Sequence, residues 1–115
     1  MKYLCLVYIT PGALDGLPAA ERAALDRKSR QYDEKLKAEG VFIAASALQP
    51  VAKARTIRVR GGRKTALDGP FAETKEVLVG FIFIEAADQA AAEAVAEGVP
   101  MARYGTIEVR PELAF

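Results

Sequence analysis

The spacing of apolar positions along this chain changes several times, and each change marks an element. Residues Lys2–Ile9 form a nearly continuous run of Tyr, Leu, Cys, Val and Ile, the pattern of a strand covered on both faces. After "TPGALDG", Pro18 suits the first turn of a helix. Leu25, Ser29, Tyr32 and Leu36 then recur at spacings of four, three and four, which puts them on one helical face that Gly40 closes. Residues 41–48 read as a second strand, ended by Pro50. Arg55–Arg60 alternates strictly, with Thr56, Arg58 and Arg60 on one face and Ile57 and Val59 on the other; Gly61-Gly62 turns the chain and residues 63–67 return as a hairpin. Val77–Glu85, dense in β-branched and aromatic residues, predicts a central strand. Asp88 suits the N-cap of an alanine-rich helix whose Ala91, Ala92, Val95 and Ala96 form one stripe before Gly98. Residues 106–110 alternate once more, as an edge or penultimate strand.

The order β-α-β, hairpin, β-α-β predicts an α+β fold: a ferredoxin-like sandwich with right-handed crossovers and both helices on one sheet face. A length of 115 residues fits one domain over 1–115. Two helices cover one face of a four-stranded sheet and no more. The opposite apolar face then needs a partner, and a homodimer packed face to face supplies one.

Composition narrows the chemistry. Sixteen basic against fifteen acidic residues give a net charge of +1, too small for the basic field of a nucleic-acid binder, so no nucleic-acid partner is expected. The apolar opening is too short to span a bilayer and is followed by "TPG", so neither a membrane segment nor a leader is expected and a cytoplasmic protein is. Cys5, the only cysteine, sits within a strand and reads as a small core hydrophobe. The sequence contains no histidine. One Cys and no His leave only oxygen ligands, which suit magnesium or calcium better, so zinc is not expected; no cofactor is expected either.

The least ordinary stretch is "DGPFAETKE", residues 68–76. Asp68 and Gly69 suit a turn, with Asp68 capping it through its own backbone; Pro70 rigidifies the bend, and Phe71 is expected to anchor it in the core. Glu73, Thr74, Lys75 and Glu76 follow as chemistry-bearing side chains. This motif, with "GFIFIEA", "GTIEVRP" at 105–111, "MKYLCLVY", "LKAEGVFIAASALQP" and "TIRVRGG", resembles the DGPF subgroup of the YCII-related domain family over essentially the whole chain. The resemblance implies a dimeric α/β barrel of ferredoxin-like protomers with a small cleft between the sheet and the first helix. It also implies an association with extracytoplasmic-function sigma factors, beside which DGPF members are found. Ser29, and Tyr32 one turn later, fall at the first-helix position that carries polar or aromatic side chains in such relatives. Some relatives are similar to small lyases or isomerases and carry a His–Asp pair. Here Tyr104 stands near a place where relatives have His, so that pair does not carry over.

Two function classes follow. In a binding or regulatory protein, a small, anionic ligand meets Lys75 in a cleft formed with Thr74, Ser29, Tyr32, Tyr8 and Arg110. In an enzyme of lyase or isomerase type, Asp68 or Glu73 is the base and Lys75 or Arg110 holds an anionic group. Glu108 and Arg110 share a face of the last strand, so the bland reading of Arg110 is a surface pair. The missing histidine favours binding over catalysis.

Overall fold

The computed structural model describes residues 1–114. Its elements are β1 (Lys2–Ile9), α1 (Ala19–Ala38), β2 (Phe42–Ala47), β3 (Arg55–Arg60), β4 (Arg63–Asp68), β5 (Val77–Glu85), α2 (Gln89–Gly98) and β6 (Thr106–Pro111). Strands β2, β5, β1 and β6 form one sheet in that order, and every neighbouring pair is antiparallel. This α+β arrangement, with β1 and β5 at the centre and two helices, is compatible with a ferredoxin-like fold. Pro18 stands just before α1 as its N-cap residue. The far end of α1 closes as the glycine signal predicts. The amide of Gly40 donates to the Lys37 carbonyl and that of Val41 to the Leu36 carbonyl, so two otherwise orphaned acceptors are satisfied.

The core lies between the sheet and the helices. Tyr3, Cys5 and Val7 from β1 and Ile82 and Ile84 from β5 meet Leu36 of α1 and Ala92 and Ala96 of α2. The alanine stripe lets α2 approach the sheet closely, and Asp88 caps it by accepting from the Ala91 amide at 2.8 Å. Cys5 is fully buried and its thiol is pushed up by burial, so it behaves as a core hydrophobe and not as a nucleophile. Strand alternation places Leu4 and Leu6 on the face opposite the helices, and the register aligns them with Phe83 and Phe81. That face therefore carries a central apolar stripe, bordered on β6 by Thr106, Glu108 and Arg110.

The hairpin is a separate two-stranded sheet, β3 with β4, turned by Gly61 and Gly62. Both glycines have positive φ, 56° and 76°, as a two-residue primed turn requires. Among the described residues, neither hairpin strand packs substantially on a helix or on the main sheet. The arm enlarges the molecule: the radius of gyration is 16.1 Å, against about 13 Å for a compact chain of this length. No helix among the described residues is long and apolar enough to cross a membrane.

Candidate functional site

The predicted site residues fall in three places. Ser29 and Tyr32 line a cavity of about 260 Å³ between α1 and the sheet. Its floor comes from Val7, Val79, Gly80 and Ile82, its edge from Ala45 to Ala47 of β2, and its far wall from the turn Val99 to Met101 after α2. The helix spacing that unites Ser29 and Tyr32 also brings in Asp33, four residues after Ser29, which the sequence reading passed over. Its carboxyl is raised above the ordinary carboxylate range, chiefly by burial; the Lys37 ammonium one turn on opposes the shift and Glu34 adds to it. No cationic side chain lines the cavity.

Tyr32 has a structural task within this cavity. Its hydroxyl donates to the Val95 carbonyl at 2.6 Å, one of the acceptors that the C-terminal turn of α2 leaves without an intrahelical donor. Burial first, then the charges of Glu39 and Cys5, raise its phenol, so it stays a neutral donor. The bond pins α1 to α2 and fixes the turn that presents Ser29 and Asp33.

The second place is the motif. Gly69 takes a φ of +93°, and its amide donates to the Ala54 carbonyl while its own carbonyl accepts from the Thr56 hydroxyl, so the predicted bend is present. Two details differ from expectation. Asp68 does not cap the turn. It ends β4, and its carboxylate accepts from the Arg55 guanidinium at 2.7 Å across the hairpin, because that cation sits directly opposite in register. Phe71 is not a core anchor: it is 79% exposed, and the core is filled from β1, β5 and the helices. Tyr8 and Thr74 line a hollow here together with Leu48, Val51, Lys53, Pro70, Phe71, Glu76 and Leu78. The Thr74 hydroxyl donates to the Glu76 carbonyl, and the Glu76 carboxylate accepts from the Thr106 hydroxyl at 3.0 Å, which ties the motif to the start of β6.

The remaining residues lie apart. Glu73 and Lys75 are exposed and line neither hollow. Arg110 faces Glu108 at 3.7 Å on the surface of β6, a pair worth at most about 1 kcal/mol. The structure thus unites Ser29 with Tyr32, and Tyr8 with Thr74, but does not bring Asp68, Glu73, Lys75 or Arg110 to either group.

Comparison with known proteins agrees with this geometry in extent. A family model described as YCII-related domain matches residues 1–115. An uncharacterized protein of Rhizobium meliloti (strain 1021) is 32% identical over 113 residues, covering 96% of this chain and 91% of that protein.

Proposed function

Because the chain belongs to the YCII-related domain family, we propose that it is a homodimeric small-molecule-binding protein whose ligand sits between α1 and the sheet, against Asp33. The observation that carries this reading is a carboxylate of raised proton affinity in an otherwise largely apolar cavity of small-ligand size. Ser29 and Ser46 add hydroxyls to the lining. With a carboxylate and no cation in the wall, the cavity suits a neutral or cationic molecule that donates hydrogen bonds, and disfavours the anion expected from Lys75. Dimerisation proceeds through the free sheet face, whose Leu4, Leu6, Phe81 and Phe83 are only half-buried in one copy; two such sheets facing one another make the dimeric α/β barrel. Ligand occupancy in such a dimer is a signal a partner can read, and a sigma factor is the partner that the DGPF resemblance implies.

Asp33 also favours a second reading, proton transfer on the bound molecule, because a carboxyl of raised affinity returns protons more readily than an ordinary one. Titration calorimetry with a panel of small amides, primary amines and carboxylates separates the cases. Amides or amines are expected to bind and to lose about tenfold or more on Asp33→Asn, with carboxylates inert. Equal affinity in wild type and variant would remove Asp33 from the site. Exchange of a ligand C–H proton with deuterated solvent, lost in the variant, distinguishes catalysis from binding.

A further inference from the structure

The hairpin arm divides its side chains sharply. On one face lie Ile57, Val59 and Ala66 with Lys64 opposite Val59 and the Arg55–Asp68 pair at the base; on the other lie Arg58, Arg60 and Arg63 with Thr56, Thr65 and Leu67. Ile57 and Val59 are 52% and 58% exposed, and Leu67 and Phe71 are exposed as well. Half of the large hydrophobic residues found exposed among the described residues thus fall in residues 57–71. Exposure on this scale, on an arm that does not pack substantially on the helices or the main sheet, marks a surface that is covered in the working protein.

Charge identifies the cover. Residues 55–68 hold five cationic side chains and one carboxylate, a net +4, while the other residues hold eleven cationic and fourteen anionic, a net −3. The overall +1 conceals a cationic arm on an anionic body. Arg60 and Arg63 stand directly opposite one another in register, an arrangement of like charges that is unfavourable until an anionic surface meets it. The Gly69–Ala54 and Thr56–Gly69 hydrogen bonds close the base of the arm. A second copy of this chain offers both the apolar and the anionic surface, and in a two-fold interface each arm meets the other body.

We propose that the arm clasps the second copy in the dimer, laying Ile57 and Val59 on the partner and bringing Lys64, which shares their face, to the partner's carboxylates. Pro70 and Phe71 line both the hollow beside β3 and the motif hollow, so the clasp covers the motif hollow in the dimer. The inference rests on the homodimer of the proposed function and adds the arm to the free sheet face.

A photo-crosslinker attached at Val59→Cys tests it, since Cys5 is fully buried and escapes labelling. Light scattering of the wild type comes first, and a dimer is expected; a monomer overturns the clasp together with the dimer beneath it. Irradiation of the labelled dimer is expected to give a covalent species of twice the 12.4 kDa chain mass on a denaturing gel. The double variant Ile57→Asp/Val59→Asp, whose altered side chains lie outside the core, is expected to keep the monomer's far-ultraviolet circular dichroism while dissociating at about tenfold or more higher concentration. A wild-type dimer whose labelled arm gives no intermolecular product, or whose double variant dissociates as the wild type does, overturns the arm's role and leaves the sheet-face dimer standing.

Discussion

Tyr32 shows how one side chain can serve a site without reacting in it. Its hydroxyl satisfies the Val95 carbonyl, and its ring closes over Gly98, where an added Cβ would lie 2.4 Å from the phenol oxygen. Tyr32→Phe should therefore cost about 1 kcal/mol, the loss from leaving that carbonyl without its donor, read from urea unfolding midpoints. Asp33 gives a second residue-level expectation, with its sign set by linkage. Its folded-state proton affinity is raised, so the native state binds more protons than the unfolded state, and its contribution to stability falls as pH rises through the carboxylate range. Asp33→Asn should then be slightly stabilising at neutral pH and indistinguishable from wild type below the carboxylate range; unfolding midpoints measured from pH 3 to 7 check this, and a variant less stable at neutral pH reverses the assignment. Helical spacing put Ser29 and Tyr32 on one face, and the family resemblance made them site candidates. Asp33 stands four residues after Ser29, but spacing does not tell a carboxylate at the cavity from a solvated one, and the Val95 partner lies 63 residues away in sequence, beyond any local pattern.

At the scale of elements, local signals carried furthest where the chain itself enforces the conformation. The Gly61-Gly62 turn, the Asp88 cap and the glycine after α1 each appear where residue type required them. Asp88→Ala should destabilise by about 1 kcal/mol, seen as a lower urea midpoint with an unchanged slope. The motif was legible as a bend but not as a site. The strong opposite charge of Arg55 draws Asp68 into the hairpin, and what Phe71 touches depends on where the arm points. Periodicity assigned two faces to β3 but said nothing of whether the hairpin would join the main sheet, since edge pairing is decided by tertiary contacts and not by alternation.

The whole molecule poses a question of cover. A four-stranded sheet with helices on one side, and an arm with apolar and cationic faces, both present surface that one copy of the chain cannot bury. The chain order implied the first directly, because two helices cannot wrap two faces. The second was hidden by a near-zero net charge, which averages a positive arm with a negative body.

The separateness of β3 and β4 also sets a clock. An isolated two-stranded ribbon is marginally stable in water, so its ladder should open and close many times for each opening of the central strands. In dilute protein, the amides of residues 55–68 should lose their hydrogens to deuterated solvent nearly as fast as an unfolded peptide, while those of β1 and β5 exchange only with global unfolding. Trypsin reaches the same window, for Arg60 and Arg63 flank the turn, and a first cut there would leave the core sheet whole. On the proposed dimer, raising the protein concentration should slow both reactions in the arm and, because association stabilises the folded chain, slow β1 and β5 as well, so the ribbon reports association as a rate.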